Sequence, residues 1–146
     1  MPEVHLAVGV ALLTLNLTAG VWGAVAWLTD RASLVFWYVL RAAQASVIVQ
    51  VLLGLLLLLF GHEADDPLHY MYGSAPLLVS LFAEGMRAGA AERELPAGVD
   101  FKALAATEQR AIALRIVRRE MGIMTIAALL IAALAFRAAQ VSGKLF

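Results

Sequence analysis

Two histidines in this chain each stand four residues before a glycine, His5 in "VHLAVG" and His69 in "LHYMYG", and each opens a long apolar run. Imidazole at such a position can carry a proton, hold a transition metal or ligate a haem iron. On a helix the glycine four residues on lies one turn below the histidine on the same face. Gly9 and Gly73 would thereby leave a slot beside each ring, the clearance a flat macrocycle needs. The pair predicts one b-type haem with His5 and His69 as axial ligands. Two other readings of the same residues stay open. His5, His62 and His69, with Glu3, Glu63, Asp65 and Asp66 around them, have the imidazole and carboxylate chemistry of a zinc, copper or non-haem iron site. Alternatively the histidines only open helices, and the chain is a non-catalytic membrane subunit or scaffold.

The elements that must position these residues follow from composition. Of 146 residues 62% are apolar and 15% charged, and mean hydropathy is +0.84. Soluble domains have about 45–50% apolar and about 25% charged residues. A core of this size cannot hide so much hydrophobic surface, so lipid is the implied solvent. A helix crossing a bilayer core of about 30 Å needs about 20 mainly apolar residues. Four segments, at about 4–28, 34–60, 68–86 and 121–139, meet this length and are separated by "TDRAS", "GHEADDP" and a polar stretch from Arg87 to Glu120. The sequence thus predicts an all-α, four-helix transmembrane bundle in a single domain, a multi-pass protein of the cell membrane. "AVA" at 24–26 looks like a signal-cleavage site. No Lys or Arg precedes the first segment, however, and its apolar run exceeds a signal core, so it is expected to be a retained helix.

Orientation follows from the basic residues. Lys and Arg favour cytoplasmic loops. With four spans, the termini and the 61–67 loop share one side, which carries only Arg137 and Lys144. The opposite side carries Arg31, Arg87, Arg93, Lys102, Arg110, Arg115, Arg118 and Arg119, with Arg41 nearer that end. Both termini are therefore expected outside, as is the acidic "HEADD" loop, which puts all three histidines on the outer face. There Arg137 can neutralise haem propionates or pair with Asp65, Asp66 or headgroups.

Inside the spans, Asn16, Gly20 and Gly23 continue the stripe below His5, and Ala128, Ala132, Ala135 and Ala139 form a second small-residue seam. Small residues let helices approach closely in lipid, with or without a cofactor. Pro76 can kink the third span. Tyr70, Tyr72, Trp22, Trp27 and Trp37 fit interfacial belts. Gln44 and Gln50 are expected to bond neighbouring helices, Glu84 to pair with Arg87, and Arg41 to snorkel to the inner surface. A quinone pocket among these groups is a lesser reading. After a loop marked by Pro96 and Gly98, the segment at about 101–120 interleaves apolar residues with four arginines. It reads either as a cytoplasmic amphipathic helix on anionic lipid or as an extension of the fourth span.

Without cysteine the chain has no disulfide and no thiolate site. It also carries no nucleophile–base pair, phosphate-binding loop or nucleic-acid module.

One family is similar in the placement of these residues. His5 opens one helix, His69 opens the helix two later, and "QVLLG" at 50–54 lies in the helix between them. Over roughly Glu3 to Leu81 this resembles one four-helix half of the haem A synthase family, in which Gln-x-x-x-Gly occupies the intervening helix. The resemblance implies bis-histidine haem ligation by His5 and His69, as in four-helix membrane b-type cytochromes. The expected role is electron transfer, with a quinone or redox partner protein, or haem handling. One half supplies one haem site, and a homodimer would place two as a full synthase does.

Overall fold

The computed structural model describes residues 2–95 and 97–142; Pro96 and Lys144, used above for the loop and the charge asymmetry, lie outside them. The described chain is all-helical: α1 Pro2–Leu28, α2 Leu34–Leu59, α3 Leu68–Ala88, a short α4 Ala90–Glu94 and α5 Ala106–Val141, with a 3-10 turn at Phe101–Ala103 before α5. Three of these, α1, α2 and α5, are long and apolar enough to cross a membrane. The third expected span is a 21-residue helix; its His69, Tyr70, Tyr72, Pro76, two serines, Glu84 and Arg87 leave no stretch as long and apolar as those of α1, α2 and α5.

The helix ends are set by local chemistry. Asp30 (φ 54°) and Gly61 (φ 78°) adopt left-handed backbone. Each lets the next residue's N–H reach back five positions, Arg31 to the Ala26 carbonyl (2.9 Å) and His62 to the Leu57 carbonyl (2.9 Å). This closure satisfies the carbonyls left over at a helix end. Ser33 caps α2, its hydroxyl accepting from Phe36 N–H at 3.2 Å and from Trp22 Nε1–H at 3.0 Å. Asp66 accepts the Leu68 N–H at the start of α3 (2.9 Å), and Glu108 accepts the Ala105 N–H at the start of α5 (3.3 Å). α5 is continuous from Ala106 to Val141. The arginine-rich segment and the apolar segment after it are thus one helix of roughly 54 Å at 1.5 Å per residue, longer than a bilayer core.

α5 is the central element. It packs along both α1 and α3, α1 also packs on α2, and α2 meets α3 only sparsely. Ala19, Phe36, Leu40, Ala83, Met121, Met124 and Ala128 form the main core, with Leu12, Val47 and Ile131 below it. The α1 stripe works here as close-packing surface: Gly20 lies against Leu129, and Gly23 against Thr125 and Phe36. A Cβ on Gly23 would stand 2.5 Å from Phe36 Cε2 on α2 and closer still to Thr125 Oγ1 on α5, so Gly23→Val forces α1 away from both. We expect it to lower stability by about 1–3 kcal/mol in a detergent unfolding titration; a change within about ±0.5 kcal/mol, as at uninvolved surface sites, would contradict this packing. Elsewhere the helices expose apolar side chains on their outer faces, among them Val10, Val21, Leu52, Leu55, Leu59, Leu81 and Phe82. Exposed apolar surface on this scale marks contact with lipid or partners.

Candidate functional site

At the end of the bundle formed by the starts of α1 and α3 and the last turns of α2 and α5, the two histidine rings meet. The centroids of His5 and His69 are 6.1 Å apart and the ring planes are tilted by 59°. The two helices that carry them both pack along α5, so the meeting depends on how each docks there.

Each ring is held by a different neighbour. His69 Nδ1 lies 3.1 Å from the Ala138 carbonyl oxygen on α5. A backbone carbonyl can only accept, so Nδ1 donates its proton and the neutral ring keeps its lone pair on Nε2. His5 Nε2 lies 3.1 Å from the Gln50 carboxamide nitrogen on α2. That NH₂ group can only donate, so here too Nε2 holds the lone pair. One turn along α2, Gly54 completes the seat of His5: a Cβ there would stand 3.3 Å from His5 Cε1. Gln50 and Gly54 are the first and last residues of "QVLLG", and both serve the same imidazole.

The two glycines below the histidines differ. The space beside Gly9 is taken by Gln50, whose Nε2 would lie 3.1 Å from an added Cβ, whereas nothing lies within 4 Å of a Cβ on Gly73. The position below His69 is therefore open, and the one below His5 is filled by a carboxamide. Gln50 Oε1 is buried and makes no hydrogen bond among the described residues. Tyr70 stacks edge-on to His69 at 6.3 Å, and its hydroxyl accepts from Ala64 N–H (2.8 Å). Arg137 adjoins Ala138, is exposed, and donates to Gln140 Oε1 at 3.3 Å. His62 is exposed in the α2–α3 connection. No group of three or more His, Cys, Asp or Glu side chains gathers among the described residues.

A second polar cluster sits toward the opposite end. Glu84 of α3 accepts from Arg41 and from Gln44 (2.8 Å) of α2 through Oε1, and from Arg87 (2.8 Å) through Oε2. Arg87 also lies 3.7 Å from Glu120 of α5. Glu84 and Arg87 pair as their spacing suggests, and Gln44 and Gln50 each bond a neighbouring helix. The link from Arg41 to Glu84 was not foreseen from sequence, where Arg41 was expected to snorkel. Its only trace is that two i,i+3 polar pairs, Arg41/Gln44 and Glu84/Arg87, fall at matching depth on consecutive helices. Both Glu84 oxygens are occupied, so the cluster is a clasp between α2 and α3 where these helices otherwise barely touch.

No protein-family model, curated protein or solved structure matches this chain.

Proposed function

We propose that this chain is a four-span membrane protein, both termini outside, that holds one b-type haem between His5 and His69 near the outer face and serves electron transfer or haem handling. The observation that carries the reading is the 6.1 Å separation of two imidazoles from non-neighbouring helices. With metal–nitrogen bonds of about 2 Å, two imidazoles that shared one ion would stand about this close, so His5 and His69 are the residues that would hold it. Metal ligation also requires neutral imidazole with a lone pair to give; donation from Nδ1 to Ala138 leaves that pair on His69 Nε2, and on His5 Nε2 the pair accepts from Gln50.

The surroundings fit such a group. The Ala138 carbonyl on His69 Nδ1 is the kind of outer partner that fixes a ligating histidine's tautomer and orientation. Gln50 must turn off His5 Nε2 for that nitrogen to ligate, which exchanges one neutral hydrogen bond of about 0.5–1.5 kcal/mol. Its Oε1 loses nothing in the move, being without a hydrogen bond already. Open space at Gly73 and the exposed guanidinium of Arg137 offer room and countercharge at the same end. When bound, haem supplies one-electron chemistry; the chain's own residues orient the two imidazoles and screen them from water. α3 would be the third span, its lower hydropathy tolerated because His69, Pro76, Ser80 and Glu84 face the bundle rather than lipid.

Titration of haem into detergent-purified apoprotein tests the stoichiometry. Saturation at one haem per chain is expected. Binding that never saturates, or none at all, would leave the non-catalytic scaffold as the reading.

A further inference from the structure

An apolar groove of about 1110 Å³ runs along α5 between α3 and Trp27 of α1, floored by residues such as Ile126 and Leu130 and ending at Arg115, Arg118 and Arg119 with Glu94 among them. We propose that it is a binding site for one anionic phospholipid, the phosphodiester at the arginines and an acyl chain along α5. The proposal is independent of the haem reading and of which membrane face the arginines occupy.

Length is the first argument. From Arg119 to Leu130 α5 rises about 16 Å at 1.5 Å per residue, which matches half of a bilayer core of about 30 Å. The groove therefore has the depth of one leaflet, with its charge at the headgroup end. Its walls bear this out chemically: Leu78, Leu81, Phe82 and Ile126 are exposed apolar side chains, whereas a site for a soluble anion would have polar walls throughout.

Charge complementarity is the second. Arg115 and Arg119 share one carboxylate, Glu94 (3.3 and 3.0 Å), and Arg118 pairs with Asp30 (2.9 Å). Arg31 lines an adjoining recess of about 230 Å³ together with Asp30, Arg115 and Arg118. Four guanidiniums thus face two carboxylates, an excess of two positive charges. The Arg118–Asp30 pair is 58% and 61% exposed, and exposed pairs of this kind contribute little, so Arg118 can turn to a phosphate without much loss. Guanidinium forks match phosphate oxygens two at a time. Trp27 lies over Gly122 at the junction of headgroup and chain regions, the depth at which tryptophan anchors are favoured.

The test is native mass spectrometry of the full chain released from detergent containing equimolar dioleoyl phosphatidylglycerol and dioleoyl phosphatidylcholine. The wild type is expected to retain the anionic lipid in roughly 25-fold excess, since each of the two surplus positive charges near a headgroup is worth about a fivefold preference. Arg115→Gln with Arg118→Gln should bring the two lipids near parity, and Ile126→Trp, which fills the groove at an exposed position, should lower retention of both. Inorganic phosphate added at the same concentration should leave the retained lipid unchanged. Equal retention by the wild type, an undiminished preference in the arginine variant, or displacement by phosphate alone would each overturn the proposal.

Discussion

His69→Ala is expected to lower haem affinity by at least about 100-fold, the upper range seen when even an outer partner of a metal ligand is lost, while the fold survives. The two effects separate because, among the described residues, the His69 ring makes one hydrogen bond, Nδ1–H to the Ala138 carbonyl. Losing it costs on the order of 1 kcal/mol, small beside the loss of a metal ligand. His5→Ala should act alike, for a different reason. Its ring rests on Gln50 and Gly54 of α2, so removal frees the carboxamide without opening a buried charge. Haem titration, with detergent unfolding as the control for folding, measures both. Either variant binding haem as the wild type does would remove that histidine from the site. His62→Ala should change nothing; sensitivity there would favour a metal site on the outer face.

Glu84→Ala should be the most destabilising single change at the other end of the bundle. It strips partners from Arg41 and Gln44 of α2 and from Arg87 of α3 together. Breaking a fully buried pair costs roughly 3–5 kcal/mol. Here the side chains of Arg41 and Glu84 are 49% and 28% exposed, so solvent screens part of the loss and about 2 kcal/mol is expected. A double-mutant cycle with Arg41→Leu checks the cause. Removing both partners leaves no stranded charge between α2 and α3, so the double variant should cost less than the sum of the singles. Strict additivity in a detergent unfolding titration would show that the clasp does not couple the two helices.

Much of this architecture was legible before the structure. Four long helices follow from the spacing of "TDRAS", "GHEADDP" and the polar stretch after Arg87, and the end-to-end placement of His5 and His69 follows from helix direction alone. What periodicity could not give is the identity of a neighbour. Spacing places Gly9 on the face below His5, but only packing shows that Gln50 fills the gap while the space at Gly73 stays open. Likewise Gln50 and Gly54 could be seen as a pair one turn apart, not as the seat of one particular imidazole. For Arg41 a lone helix offers only snorkelling as relief; the carboxylate that also meets it comes from α3 and is invisible to spacing along α2. For the segment at 101–120 the sequence left two choices, and the uninterrupted helix from Ala106 to Val141 takes up most of it as an extension of the last apolar segment.

If His5 and His69 share one haem, a visible absorption spectrum of the detergent-purified chain, oxidised and then reduced with dithionite, will show it. Expression with haem supplied should give a Soret band and, on reduction, sharp α and β bands that disappear in His5→Ala and in His69→Ala. A featureless spectrum from haem-supplemented, folded protein would contradict the account and reduce the two histidines to the polar openings of α1 and α3.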